Sequence, residues 1–240
     1  LDKKKKLLRV HATVAQEIGL AIVSGKLAPG QLLEGEVQAA NHRKVARNTY
    51  REAMRILVAK GLVVSRTRTG TRVNEIADWN VLDPDVLAWT FSATPRPEVI
   101  HGLFELRSMV EPSAAALAAV RRQSGQLQRM KRALAQMKAK TLDTPEGRLA
   151  DEEFHAALLE STFNPFVTSL TKGVTAAITA LTEFKLRLAG GIRDPIPDHE
   201  SVYAAIAAKN PTAARDAMNE LIRLAILDMP KNQRPKPLLR

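Results

Sequence analysis

The chain of 240 residues contains no cysteine. Disulfides are therefore excluded, and so is zinc held by thiolates. No apolar run is long enough to span a bilayer, and no signal-peptide pattern opens the chain. A cytoplasmic protein without a membrane partner is the simplest reading. The chain begins at Leu1 rather than methionine, so the natural N-terminus is expected to differ from this one. A cofactor loop is also lacking, as is a nucleophile with a general base. These absences argue against an enzyme.

What is present is charge of one sign in one place. The net charge is +11, with 45% apolar residues to supply a core. Residues 1–75 hold 15 Lys and Arg against 6 Asp and Glu, while residues 76–240 hold 21 against 19. A basic first third on a nearly neutral body predicts a polyanion partner for that third alone. DNA fits better than a membrane surface, because the basic residues sit on a patterned, compact stretch. The run Lys3–Lys6 reads either as an arm on the DNA backbone or as a tail, and residues 1–9 are assigned here as a basic tail.

The stretch from Leu33 to Val73 organises the first third. A short helix at about Glu34–Asn41 leads through Arg43 and Lys44 into a second helix, about Arg47–Lys60, which Gly61 stops. Two β-prone runs follow, Leu62–Arg66 and Thr71–Asn74, around the tip Thr67-Arg68-Thr69-Gly70. Helix, turn, helix and hairpin make a winged helix-turn-helix. Ala53, Met54, Leu57 and Val58 are expected on the core side of the second helix. Arg47, Asn48, Thr49 and Arg51 lie at its N-terminal end, where a recognition helix meets DNA. Arg68 adds charge at the hairpin tip. Any one of these arginines alone would be an ordinary solvated residue; their combination carries the reading.

An earlier helix is expected at Val10–Ser24, with Val14, Ile18, Ala21 and Ile22 at helical spacing and Gly25 ending it. The DNA-binding domain is thus placed at residues 10–75. Residues 76–96 hold both tryptophans, Trp79 and Trp89, and read as an interdomain docking helix that starts at Asp83-Pro84. Beyond Pro97 nearly everything is helical: Pro97–Arg121, Ser124–Lys140, Pro145–Ser161, Asn164–Ala189, Pro197–Ala208 and Pro211–Met229. Gly190-Gly191, Asp194-Pro195 and Asn210-Pro211 punctuate these segments. The fold class is therefore mainly α. An N-terminal winged helix-turn-helix with a small β-hairpin wing precedes an all-α bundle at residues 97–229. Residues 230–240 are expected to be a flexible tail.

Polar residues stand out in the helical half. Asp151 and His155 are four apart on one helix face and could grip one ion. His199 follows Pro197-Asp198 at a helix start. Arg107 interrupts an apolar helix and could pair with Glu105 or Glu111. Each, taken singly, also has an ordinary structural explanation.

Residues 10–74 resemble the DNA-binding domain of the GntR family of bacterial regulators. The resemblance runs through AIVSGKLAPGQLL, Glu36, VARNTYREAMRILVAKGLV and Gly70-Thr71-Arg72-Val73. It implies DNA contacts for Arg47, Asn48, Thr49, Arg51 and Gly70. Two positions depart from the family pattern. Val37 stands where an arginine is usual and Ala46 where a serine is, so operator preference is expected to differ. Residues 97–228 resemble the helical ligand-binding domain of the FadR subfamily, of the FCD type. The matching phrases are ELRSMVEPSAAALAA, DEEFHAALLESTFNP and HESVYAAIAAKNPTAARDAMNELI. This implies a metal set of Asp151, His155 and His199, with Leu221 where many members carry a third histidine.

Two outcomes remain open from that replacement. A divalent ion such as zinc or nickel is held weakly by three ligands, or the same groups bind the hydroxyls of a small molecule directly. Arg107 matches the pocket arginine of the family's E-x-R phrase and suits a carboxylate. Asn164 reads as a helix cap or an effector contact. The phrase NVLDPDVLAW recurs in a sugar-acid-responsive subset of the family. The resemblance thus implies a homodimeric repressor that binds operator DNA and answers to a carboxylate metabolite, a sugar acid such as galactonate. A metal-sensing regulator and a metal-dependent enzyme of sugar-acid metabolism are the alternatives.

Overall fold

Apolar residues at helical spacing shape most of the chain. The computed structural model describes residues 2–189 and 193–234, which divide after Thr94 into two units. The first unit holds α1 (Asp2–Val23), α2 (Glu36–His42), α3 (Arg47–Ala59), β1 (Val63–Arg66), β2 (Gly70–Val73) and α4 (Pro84–Ser92). The second holds α5 (Pro97–Arg121), α6 (Ser124–Lys140), α7 (Pro145–Glu160), α8 (Pro165–Ser169), α9 (Thr171–Ala189), α10 (Ile196–Ala207) and α11 (Pro211–Leu227).

In the first unit α1 packs on α3 and α4, and α2 packs on α3. Val14, Ile18 and Ile22 of α1 meet Tyr50, Met54 and Leu57 of α3 in one core. Helix α1 begins at Asp2, which corrects the expected tail: the lysine run is helical, and lysine and leucine are good helix formers. The core stripe of α3 is buried at Thr49, Tyr50, Ala53, Met54 and Leu57, whereas Val58 is 43% exposed. Val58 is thus not on the core side. At 100° per residue the stripe centres near Ala53 and Leu57, which takes in Thr49 and leaves Val58 out.

Gly61 ends α3 with φ +69°, its N–H donating to Val58 O at 2.9 Å and the Leu62 N–H to Leu57 O at 3.0 Å. A Cβ there would come within 2.2 Å of Asp78 O. β1 and β2 pair antiparallel from Val63↔Val73 to Arg66↔Gly70, with Arg68 at the tip in the left-handed region. The segment before α2 binds the outer edge of β2, the Leu33 N–H donating to Thr71 O at 2.8 Å. The segment expected between domains packs instead within the first unit. There Asp83 caps α4 by accepting from the Asp85 and Val86 N–H groups. Lys60 ties the end of α3 to that cap, with Nζ 2.6 Å from Asp83 Oδ1 and 2.7 Å from Asp85 Oδ2.

In the second unit α5 lies against α11, α6 against α7, α7 against α9, and α10 against α11. The alanines of α5 (Ala114, Ala115, Ala118 and Ala119) are buried, which is what close helix approach needs. The single helix expected over Asn164–Ala189 is two, broken at Leu170. Helix α8 buries no residue, and Ser169 Oγ donates to Phe166 O at 2.7 Å, so neither packing nor the local side chains favour continuity. Of the expected tail, Lys231–Gln233 form a 3-10 turn and residues 235–240 lie outside the described residues, as does Gly190-Gly191. No described helix is long and apolar enough to cross a membrane.

Candidate functional site

The first unit presents a basic concave surface. The N-terminal turn of α3 leaves Arg47, Asn48 and Arg51 exposed, and the wing leaves Arg66, Arg68 and Gly70 exposed. Between them runs a groove of about 700 Å³ whose walls include Glu36, Arg51, Arg55, Arg66 and Thr67. Thr49 does not share this exposure. It is 4% exposed, inside the core stripe, which corrects its expected place among the DNA contacts. Arg51 is already engaged: its Nη2 lies 2.7 Å from Glu36 Oε1 and its Nε donates to Glu36 Oε2 at 3.2 Å. Hydrogen bonding to Arg51 holds the Glu36 carboxyl below the usual range. Glu36 therefore fixes the direction of one recognition-helix arginine. Its role was not foreseen from sequence, because the pair is fifteen residues apart.

The second unit holds a small cavity of about 30 Å³. Its lining brings together Arg107 of α5, Asp151 and His155 of α7, His199 of α10 and Leu221 of α11. These residues are spread over 115 positions of sequence, and bundle packing collects them. Asn164 is not among them. Its side chain accepts from the Phe166 N–H at the start of α8, so it is a helix cap.

Asp151, His155 and His199 are all buried, and one ligand atom of each lies within 4.8 Å of the others. Asp151 Oδ1 is 3.0 Å from His199 Nε2 and 3.8 Å from His155 Nε2. The two Nε2 atoms are 3.3 Å apart. The far nitrogen of His199 sets its tautomer. His199 Nδ1 lies 2.8 Å from Pro195 O, which only accepts, so Nδ1 carries the proton. His155 Nδ1 lies 2.8 Å from Glu111 Oε2, an ionic contact without hydrogen-bond alignment. A proton on that nitrogen faces the carboxylate. In the neutral rings both Nε2 atoms then turn lone pairs toward Asp151 Oδ1, a fully buried oxygen with no aligned hydrogen bond. Three acceptors converge with no proton between them, which fits a divalent cation.

Glu111 braces this cluster. Arg107 Nε donates to its Oε1 at 2.6 Å, and Glu111 is 0% exposed. Burial pushes its carboxyl up, but Arg107 and His155 outweigh burial and bring it down to about 2. Asp151 behaves alike: burial raises it, while His199, His155 and Arg107 lower it to about 2. Both stay ionised. The cavity wall also holds Thr182, Arg193 and Asp228, none of them foreseen. Arg193 pairs with Asp198 at 2.6 Å and with Asp228 at 3.7 Å. Thr182 follows Ile178 by four residues on α9, a spacing that sequence alone could have offered.

The fold and these two sites define a two-domain transcription regulator. Residues 11–73 match the family model "Bacterial regulatory proteins, gntR family", and residues 102–224 match the "FCD domain". The galactonate operon transcriptional repressor of Escherichia coli is 31% identical over 206 residues, covering 85% of this chain and 90% of its own. The HTH-type transcriptional regulator LutR of Bacillus subtilis is 30% identical over 202 residues, covering 82% and 90%. A structure of Listeria monocytogenes Lar shares the fold, with a TM-score of 0.63 at 18% identity over 91% of this chain and 96% of that one. The chain belongs to the GntR family of transcription regulators and carries an FCD domain. Its family and named relatives are regulators, so the enzyme reading is set aside.

Proposed function

We propose that this protein is a homodimeric repressor whose hold on operator DNA is released by a hydroxylated carboxylate, a sugar acid of the galactonate type. One observation carries the reading: Arg107 and the Asp151–His155–His199 cluster, all buried, share one cavity in the second unit. A guanidinium suits a carboxylate, and the cluster suits hydroxyl groups or an ion that binds them. The E. coli relative named as a galactonate operon repressor, alike over both domains, supports the sugar acid.

Arg47 and Asn48 are proposed to read bases, Arg51 to act in the direction Glu36 sets, and Arg68 with the Gly70 turn to approach the backbone. Asp151, His155 and His199 are proposed to hold a divalent ion, zinc or nickel. Bound there, it would supply positive charge and open positions to ligand oxygens. Leu221 on the same wall offers no donor, so the ion is held weakly. The cavity of about 30 Å³ has room for about a water molecule. A sugar acid therefore selects a form in which the lining side chains move apart, and by linkage DNA and effector alter each other's affinity equally.

A second copy is the proposed partner of α5. Leu106, Met109, Leu117 and Val120 share one face of α5, at intervals of three, eight and three residues, with Met109 69% and Val120 64% exposed. Two copies would match a palindromic operator.

Fluorescence anisotropy on labelled DNA from upstream of the protein's own gene, at fixed salt, tests the reading. Sub-millimolar release by galactonate or a related acid is expected. Tight specific binding that no acid alters, but that chelation alters, would replace this reading with metal sensing.

A further inference from the structure

Lys185 is a buried cation that neither the fold nor the cluster described above uses. It is 6% exposed. On α9 it follows Ile178 and Thr182 at intervals of four and three residues, so the three share a helix face, and the first two line the cavity. Lys185 stands beside this lining rather than in it, and Arg107, Asp228, Asp151 and Arg193, which do line the cavity, are the charges near enough to bear on its ammonium.

The nearby carboxylates are already engaged. Glu111 is held by Arg107 and Asp228 by Arg193, while Asp151 belongs to the cluster with His155 and His199. Among the described residues none of these forms an ion pair with Lys185. Burial and the neighbouring Arg107 pull its pKa down to about 8. Two buried cations of one neighbourhood, one of them without a carboxylate partner, are unfavourable in the free protein and are relieved by an anion. Arg107 spends its Nε on Glu111 and keeps its terminal nitrogens as donors.

We propose that Lys185 and Arg107 together form the seat of the effector's carboxylate. The inference rests on the reading that the cavity takes a hydroxylated carboxylate, and it assigns which groups take which end. The acid group sits between the two cations, on the α9 and α5 side. The hydroxyl groups next to it fall to the Asp151–His155–His199 cluster. Such a seat selects the open-chain acid over its uncharged lactone, which presents the same hydroxyl groups without the anion.

The test uses the full chain as wild type, Lys185→Met and Lys185→Arg. Thermal melts and calorimetric titrations are run with sodium acetate, galactonate and galactono-lactone against sodium chloride at constant ionic strength. Without ligand, Lys185→Met is expected to melt above wild type, because an unpaired buried charge is gone. Its affinity for acetate and galactonate should fall roughly tenfold or more, the range of a charge-assisted hydrogen bond. Lys185→Arg should retain part of that affinity, and the lactone should shift none of the three.

A lower melting temperature for Lys185→Met with its ligand shift intact would make Lys185 structural and overturn the seat. So would a wild type that neither carboxylate stabilises. Loss of the acetate shift in Lys185→Met, with no sugar acid releasing wild-type protein from DNA, would keep the seat and remove the sugar-acid reading. Equal release of both proteins from DNA by galactonate would do the reverse.

Discussion

His155 and His199 turn their Nε2 atoms toward each other across 3.3 Å, beside the carboxylate of Asp151. Pro195 O lies against the far nitrogen of His199, and the Glu111 carboxylate against that of His155. Leu221 lines the same cavity, and the family resemblance sets it where a third histidine is common. Leu221→His should therefore tighten zinc binding by more than the roughly 10–100-fold that outer-shell groups contribute. Competition against a chromophoric chelator measures it. Unchanged affinity in the folded variant would mean that residue 221 does not reach the ion.

Arg107 and Glu111 are an ion pair with 4% and 0% of their side chains exposed. Arg107→Ala strands a buried carboxylate, and a stability loss of about 3–5 kcal/mol in urea melts is expected. The variant should still bind operator DNA and should no longer answer to effector. A folded Arg107→Ala that fails to bind DNA would end the assignment of Arg107 to effector recognition alone.

Arg47 stands exposed at the first turn of α3, with no ion pair to Glu36 such as Arg51 has. Arg47→Ala should weaken operator binding roughly 10- to 100-fold if its guanidinium reads a base edge, with a smaller effect on random DNA. Anisotropy titrations with both DNAs separate the cases. Equal losses would make Arg47 a phosphate contact.

Lys185 gives a dependence on pH with a definite sign. Its folded pKa is lowered to about 8, while the unfolded chain keeps the ordinary value of 10.5. Between those values the unfolded chain holds a proton that the folded one has released, so stability rises with pH across that window. Below about pH 8 both forms are charged and the cost of the buried ammonium is fully present. The charges that face it are Arg107 on α5, Asp151 on α7, Arg193 before α10 and Asp228 after α11. The urea midpoint of Lys185→Met should exceed that of wild type at pH 7.5, and the gap should narrow between pH 8 and 10, by up to about 3 kcal/mol in total. A constant gap would show that the ammonium is solvated.

Much of this molecule was legible in its sequence. Spacing placed the helix-turn-helix and the wing to within a few residues, because Gly61 and Gly70 mark backbone that other residues rarely adopt. Proline and capping residues marked the starts of α4, α5, α7 and α11. Asp151, His155, His199 and Arg107 were identified by residue type and resemblance, and the fold gathers them.

The misplacements share a cause. Thr49 and Val58 sit at opposite edges of one helical stripe, and a pattern of apolar residues alone cannot say where a stripe ends. Asn164 could have capped or bound, and only the position of α8 makes it a cap. Glu111 bracing His155, Glu36 holding Arg51, and Lys185 buried beside Arg107 are relations between different elements or distant segments. Composition and local spacing thus determined the elements, the basic first domain and the chemistry available. Which groups are buried together, and which charge lacks a partner, was decided by packing, because electrostatics depends on distances and desolvation that exist only after the helices meet.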